Sequence, residues 1–204
     1  NTLPELKEAK PHPHGIEIGY FERLCRETDK KTVLEFLVKT FSSISREKAL
    51  EVLKKAKVNP EKNPKELTDE EVETIYKILQ ETKLRAMSSK YITTLGRELI
   101  LKSIENMFKP EYMSAITRRP AIYRGIPFVV EVGIAYGGNI QEFEYYRFAN
   151  RVPLLYKPGE DAITHALKNI NWKHYGFNVE GDFPKEPMAI LVHVASVWLP
   201  FTSE

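Results

Sequence analysis

The segment from Met188 to Leu199 decides the fold, and it runs Met-Ala-Ile-Leu-Val-His-Val-Ala-Ser-Val-Trp-Leu. Apolar side chains occupy both alternating sets of positions along it. Successive side chains of a strand point to opposite faces of a sheet. A strand of this composition is therefore buried, or at least largely buried, on both faces. We predict that it is such a strand.

Other strands and two helices surround this segment in the C-terminal half. Clusters of β-forming residues predict strands at Ala121–Tyr123, Pro127–Tyr136 and Phe143–Phe148. Helical spacing predicts helices at Leu95–Phe108 and Asp161–Ile170. The apolar side of the first helix is predicted to comprise Ile100, Ile104, Met107 and Phe108. Strands mixed with two helices indicate a layered α+β or α/β domain.

The glycines of Gly137-Gly138-Asn139 have two interpretations. With Gly133 they could form a phosphate-binding loop. A hairpin turn between the second and third predicted strands explains them more simply, because turn positions with positive φ favour glycine and asparagine. We predict the hairpin.

The N-terminal part, from Gly15 to Arg85, is predicted to be a small helical module. Thr32 with Glu35 and Thr68 with Glu71 fit capping boxes that begin two helices. The segment that follows Thr32 is apolar almost all round, which predicts a buried central helix. Ser45 is predicted to begin a further helix over residues 46–57.

The composition sets limits without indicating a ligand. The 204 residues allow one or two domains, and the net charge of +2 neither requires nor excludes a nucleic-acid partner. No apolar run approaches the length of a membrane span, and the first residues lack the pattern of a signal peptide. We therefore expect an intracellular, cytoplasmic protein with no membrane partner.

No convincing catalytic constellation is present. The single cysteine, Cys25, is predicted to be a small buried apolar residue rather than a nucleophile. His12 and His14 lack a visible third metal ligand and are predicted to be linker histidines. Glu160 and Asp161 stand where a helix begins, so they are predicted to cap it rather than to act in acid–base catalysis.

The cluster Trp172-Lys173-His174-Tyr175 has two interpretations. A lysine between large aromatic residues can bind a phosphate while a ring packs against a sugar or a base. Alternatively, Trp172 and Tyr175 seal the end of the sheet and Lys173 is merely solvated. Composition alone favours the second interpretation.

Several longer strings resemble one family. They are Pro11–Gly15, the run Arg119–Phe128 that continues to Gly133–Gly138, the run Arg147–Tyr156, and the closing His193–Glu204. All of these are similar to the ATP-binding B subunit of topoisomerase VI, a type IIB DNA topoisomerase of the GHKL ATPase superfamily. The resemblance covers nearly the whole chain and is strongest after Thr117.

This resemblance implies an α+β organisation in three parts. Residues 1–15 correspond to a linker from an ATPase domain, residues 16–85 to a helix-two-turns-helix domain, and residues 86–204 to a C-terminally incomplete transducer. The transducer is expected to be a two-layer domain with a ribosomal-protein-like sheet and helices on one face.

The resemblance also implies a function and a site. The family's enzyme is an A₂B₂ assembly that passes one duplex through a break in another, using ATP and Mg in the complete B subunit. The expected partners are DNA, the A subunit and a second B subunit. The family's W-K-x-Y motif falls on Trp172, Lys173 and Tyr175, which favours DNA contact there, and no ATP-contacting or metal-binding residue is carried over. The alternatives are a stand-alone nucleic-acid-binding adaptor without enzymatic activity and a purely mechanical spacer.

Overall fold

The computed structural model describes residues 10–155 and 161–198, and the chain divides into two compact units. The helical unit comprises Asn1–Ser89, Ile122–Pro127 and Val197–Glu204, and the sheet unit comprises Lys90–Ala121 and Phe128–Ser196. The mixture of helices and strands confirms the α+β class. The domain limits given above, at residues 15 and 85, remain predictions. Within the described ranges, no helix is long and apolar enough to cross a membrane.

The helical unit is built around four helices. They are α1 (Ile18–Glu27), α2 (Val33–Thr40), α3 (Arg46–Ala56) and α4 (Asp69–Glu81). Helix α2 buries Val33, Leu34, Phe36 and Leu37, which confirms the predicted central helix. Phe36 lies with its ring centroid 6.0 Å from that of Phe21 on α1. The aromatic rings of α1 and α2 therefore share one core.

Side-chain caps begin three of these helices where the sequence predicted them. Thr68 accepts a hydrogen bond from the backbone of Glu71, and the Glu71 carboxylate accepts one from the backbone of Thr68, which completes the capping box of α4. Thr32 accepts a hydrogen bond from the backbone of Glu35 at α2, and Ser45 caps α3. These bonds satisfy N–H groups that have no partner within the helix.

The sheet unit contains a main sheet and two helices. The elements from α5 onwards are α5 (Arg97–Phe108), β1 (Tyr112–Thr117), β2 (Ala121–Tyr123), β3 (Ile126–Tyr136), β4 (Glu144–Ala149), β5 (Val152–Pro153), α6 (Ala162–Lys168), β6 (Val179–Glu180), β7 (Phe183–Pro184) and β8 (Met188–Ser196). Residues 122–123 of β2 and 126–127 of β3 are assigned to the helical unit. The strand order is β1-β3-β8-β4-β5, β2 pairs with β3, and β6 pairs with β7 in a separate hairpin. Strand β8 is the third strand in this order and, as predicted, is buried along most of its length. Leu199, the predicted last residue of this strand, lies outside the described residues.

The predicted hairpin between β3 and β4 is wrong, although the turn itself is present. Strand β8 lies between them, antiparallel to β3 and parallel to β4. Gly137 and Gly138 do have positive φ, at 73° and 66°. The Gly137 N–H donates to the carbonyl of Pro187, just before β8, so the turn crosses the start of the central strand. A strand that is apolar on both faces takes the most buried position. Strand β8 therefore lies beside β3, and β4 lies on the far side of β8.

The helices lie on both faces of the sheet, which corrects the expected arrangement on one face. The α5 face carries Glu131, Gly133 and Ala135 of β3, and Ile100 and Ile104 of α5 pack against it. The α6 face carries the alternate residues of β3, including Val130 and Val132. Leu167 of α6 and Trp172 pack in the core on that side. Both alternating sets of side chains along β8 are largely apolar, and this allows both faces of the sheet to be covered by helices.

Met107 was wrongly assigned to the buried side of α5. The buried stripe comprises Ile100, Ile104 and Phe108, with Leu101 partly buried beside it. The side of the stripe that carries Leu101 faces the core. Met107 lies on the other side of the stripe and is 52% exposed.

Gly133 brings α5 close to the sheet, and this contact can be tested. A Cβ atom at Gly133 would lie 2.6 Å from atoms of both Ile100 and Ile104. We expect Gly133→Ala to lower the free energy of unfolding by about 1–3 kcal/mol, because the extra methyl group overpacks the interface. The measurement is chemical denaturation.

Gly19→Ala on α1 is the control for this substitution. No atom lies within 4 Å of a Cβ at Gly19. Alanine in a helix is about 1 kcal/mol more favourable than glycine, so this variant is expected to be stabilised. Wild-type stability of Gly133→Ala would contradict the close approach of α5.

Candidate functional site

The predicted DNA-contact residues lie in a short 3₁₀ turn, Trp172–Tyr175, that follows α6. Asn171 precedes this turn, and its side chain accepts a hydrogen bond from the backbone of His174. Gly176 ends the turn with a φ of 85°. The sequence therefore places a capping residue before the turn and a glycine after it, which fixes its conformation.

The structure separates the roles of the three predicted residues. Trp172 is only 7% exposed, its indole N–H donates to the carbonyl of Leu167 at 3.1 Å, and its ring packs against Phe143. Lys173 and Tyr175 are exposed, Tyr175 to 68%. Trp172 thus anchors the turn, and Lys173 and Tyr175 are presented on the surface. Contact of the motif with DNA remains a prediction.

The surroundings of the Lys173 ammonium group leave it able to bind an anion. Within residues 10–155 and 161–198, its ammonium group has neither a hydrogen-bond acceptor nor an ion-pair partner. The ring of Tyr175 contacts that of His174 edge-on, with 5.4 Å between centroids. A cation without an internal carboxylate partner beside an exposed ring is suited to a polyanion.

A second cluster, which we call the Glu131 network, is buried on the α5 face. The carboxylate of Glu131 accepts hydrogen bonds from the backbone N–H groups of Leu95 and Gly96, at 2.7 and 2.8 Å. It also accepts from the hydroxyl of Thr117 at 2.7 Å and from Nδ1 of His193 at 2.8 Å. Glu131 and His193 are both fully buried. Four donors therefore replace the water that the carboxylate loses.

The tautomer of His193 follows from its second neighbour. The backbone N–H of Arg151 donates to Nε2 of His193 at 3.0 Å, so Nε2 carries no proton. Nδ1 is consequently the N–H that donates to Glu131, and the imidazole is neutral. Arg151 has a φ of 68°, and its guanidinium donates to the carbonyl of Thr94. The network thus ties the β4–β5 turn and the segment before α5 to strands β3 and β8.

The pKa of Glu131 reflects two opposing effects. Burial raises the pKa of the carboxyl, and the hydrogen bonds from Leu95, Thr117, Gly96 and His193 lower it. The hydrogen bonds prevail and the pKa lies below its usual value. Glu131 is therefore a carboxylate at neutral pH.

Asp161 caps α6, as the sequence predicted. Its carboxylate accepts from the backbone N–H groups of Ile163 and Thr164 and forms an ion pair with Arg147 of β4. Burial raises the pKa of Asp161, but its bonds to Thr164 and Arg147 outweigh burial and lower it. Glu160 lies outside the described residues. The carboxylate of Asp161 thus stabilises the start of α6 and is fully occupied by these bonds.

The histidines near the N-terminus, His12 and His14, have hydrogen-bond partners in the helical unit. Nδ1 of the fully buried His12 accepts from the backbone of His14, so Nε2 donates to the carbonyl of Arg85 at 3.1 Å. Burial lowers the pKa of His12, with a smaller raising effect from Arg85. Nε2 of His14 lies 2.9 Å from the carbonyl of Leu79, near the end of α4. Residues 1–9 of the predicted linker lie outside the described residues.

The other reactive candidates show no sign of chemistry. Cys25 is fully buried, as predicted, and burial raises its pKa to about 12. Across the described part of the chain, no group of three or more metal-ligating side chains is present. A Cβ at Gly138 would lie 2.2 Å from the carbonyl oxygen of Lys109. The Gly137–Gly138 turn is thus occupied by a backbone carbonyl, which does not suit a phosphate.

Sequence reasoning missed Glu131, His193 and Arg151. A signal for two of them was present, because Glu131 and His193 each interrupt an otherwise apolar strand. Lone polar residues at such positions are buried and must find partners. The partnership itself depends on the β3–β8 register, which places Glu131 directly opposite His193.

The whole chain is similar to known proteins of one family. A family model described as the topoisomerase VI B subunit transducer matches residues 88–204. The chain is 43% identical over 202 residues to the B subunit of type 2 DNA topoisomerase 6 from Methanococcoides burtonii, covering 97% of the chain and 32% of that relative. The corresponding protein of Archaeoglobus fulgidus is 37% identical over 201 residues, with 97% and 33% covered. The chain spans about a third of the length of these curated relatives.

The Glu131 network can be tested through its pH dependence. We expect Glu131→Gln to lower the free energy of unfolding by about 2–4 kcal/mol, because an amide N–H would face buried donors. The folded-state pKa of Glu131 is lowered, so its contribution is complete above the unfolded pKa of about 4.3 and is lost as pH falls through the folded value. The variant should therefore lose less stability than the wild type below that pH.

The control is Glu105→Gln, which makes the same charge change on the exposed surface of α5. Urea denaturation of the three proteins across the acid range separates the contribution of Glu131 from those of other carboxylates. Parallel curves for the wild type and Glu131→Gln would contradict the network.

Proposed function

The chain belongs to the topoisomerase VI B-subunit family, and from that premise we propose that it relays nucleotide state to a DNA-cleaving subunit and contacts DNA on the way. The proposed parent enzyme is an ATP-dependent type II DNA topoisomerase that passes one duplex through another. The single observation that carries the relay is the Glu131 network. It joins the segment before α5, strands β3 and β8 and the β4–β5 turn through hydrogen bonds to the fully buried side chains of Glu131 and His193.

Stiffness supports the relay proposal. Displacement passes through a domain only if its packed elements move together, since close-packed interiors are not continuously deformable. Helix α5 approaches β3 as closely as Gly133 allows, and Glu131 holds the residues just before the helix. Arg151 extends the same bonding to the β4–β5 turn. A push on α5 would therefore move the central strands with it.

The geometry of the Trp172–Tyr175 turn supports DNA contact. Lys173 is an exposed cation with no partner among the residues that the structure describes, and the ring of Tyr175 is exposed. Phosphate contacts of this kind position a protein on DNA without reading its sequence. Trp172, buried beneath them, would act by holding the turn in place.

The remaining components belong to the complete enzyme in this proposal. ATP and Mg would bind elsewhere in the B subunit, because the described glycine turn does not fit a phosphate. The proposed partners are the A subunit, a second B subunit and DNA. No ATP-contacting residue is assigned to this chain.

The DNA-contact proposal predicts the effects of two substitutions in the complete enzyme. Lys173→Gln should weaken duplex binding and reduce the slope of log K against log salt concentration by about 0.9, the value for one phosphate contact. Tyr175→Ala should weaken binding roughly 5- to 150-fold if its ring stacks on a base or sugar. Trp172→Ala is uninformative, because it would also cost about 3–5 kcal/mol of core stability.

Lys102→Gln is the control, since it removes an exposed charge from α5 in the same unit. DNA-stimulated ATP turnover is measured alongside binding. Loss of both supports the relay. Loss of binding with unchanged stimulation favours the adaptor, and no change in either favours the mechanical spacer.

A further inference from the structure

The turn that carries Lys173 belongs to a longer stretch of sequence without acidic residues. No Asp or Glu occurs between Ala162 and Val179, although 28 of the 204 residues are acidic. The exposed residues of this stretch include His165, Lys168, Lys173 and Tyr175. A stretch whose exposed side chains are only cationic and neutral is suited to contact with a polyanion.

Lys168 and Lys173 lie at the same end of α6. The indole N–H of Trp172 donates to the carbonyl of Leu167, and the N–H of Ile170 donates to the same oxygen. The 3₁₀ turn is thus folded against the last turn of the helix. Lys168 follows one partner of the indole bond and Lys173 follows the other, so the bond brings together the backbone segments that carry the two lysines.

The end of α6 would repel a phosphate without these cations. Carbonyl groups at a helix C-terminus carry partial negative charge. The carbonyls of His165 and Leu167 accept from the backbone of Asn169, and Leu167 accepts from the Trp172 indole as well. These bonds satisfy the oxygens, and Lys168 supplies positive charge beside them.

Among residues 10–155 and 161–198, Lys168 has one carboxylate partner, and it lies on a different element. Its ammonium lies 3.3 Å from Asp182, and the two side chains are 42% and 57% exposed. Asp182 lies in the two-residue turn between β6 and β7, after Gly181 with its φ of 64°. An exposed pair of this kind is weak, so either partner can readily exchange for another ion.

We propose that Lys168 is a second DNA contact beside Lys173 and that Asp182 competes with the DNA phosphate for it. This inference rests on the proposed DNA contact and extends it from the motif to α6. In the free protein Asp182 neutralises Lys168. On binding, a phosphate of the duplex takes the place of Asp182, and the carboxylate returns to water.

The test uses substitutions with opposite expected signs in the complete B subunit assembled with its A subunit. Lys168→Gln should weaken binding of a fluorescent DNA duplex about fivefold and reduce the salt slope by about 0.9. Asp182→Asn should strengthen binding about threefold, because it frees Lys168 and removes a repulsive charge. In the Lys168→Gln background, Asp182→Asn should have a smaller effect, as a double-mutant cycle would show.

A second ion pair provides matched controls. Lys185 lies 3.2 Å from Glu180, at the base of the same hairpin and beyond the acid-free stretch. Glu180→Gln makes the same charge change two residues from Asp182, and Lys185→Gln matches Lys168→Gln. Both controls should change affinity less than their counterparts. Thermal unfolding confirms that each variant is folded.

The outcomes separate this inference from the proposed function. If Lys173→Gln lowers the salt slope and Lys168→Gln behaves like Lys185→Gln, the inference is wrong and the DNA contact stands. If Asp182→Asn has no more effect than Glu180→Gln, the competition is wrong. If the Lys168, Lys173 and Tyr175 variants all match their controls, the DNA contact itself is wrong.

Discussion

The buried carboxylate of Glu131 is the constraint on which the sheet unit depends. A charge removed from water at the centre of a sheet is tolerated only with full compensation, and here four donors supply it. Those donors come from β1, β8 and the segment before α5, while Arg151 completes the bonding of His193. None of these segments can shift alone without leaving a buried polar group unpaired. The cost of an unpaired group makes the network a specific connection as well as a stable one.

The two covered faces of the sheet have different roles in this account. The α5 face contains the Glu131 network and the close approach at Gly133, so it forms the stiff part of the proposed relay. The α6 face supports Trp172, whose buried ring presents Lys173 and Tyr175. Strand β8 belongs to both faces and alternates between them, with His193 on one and Val192 on the other. A single central strand therefore links the proposed relay to the proposed DNA contact.

The sequence was sufficient for features that depend on neighbouring residues. The caps at Thr68 and Asp161, the buried face of α2 and the burial of β8 each follow from local spacing or composition. Features that depend on distant pairing were missed. The hairpin at Gly137 was wrong because the turn chemistry was correct but β8, fifty residues later, takes the position beside β3. The Glu131 network was not predicted for the same reason, since its members are brought together only by strand register. At Trp172 the motif identified the segment, while the structure showed which side chains reach the surface.

The most direct test of the relay is hydrogen exchange in the complete B subunit, with and without a non-hydrolysable ATP analogue. The backbone amides of Leu95 and Gly96 donate to Glu131, and the backbone amide of Arg151 donates to His193. Their exchange rates therefore report on the Glu131 side and on the His193 side of the network. If nucleotide state passes through the sheet unit, the exchange rates of all three amides should change together, and Glu131→Gln should remove that shared response. Unchanged exchange at all three amides on nucleotide binding would contradict the account.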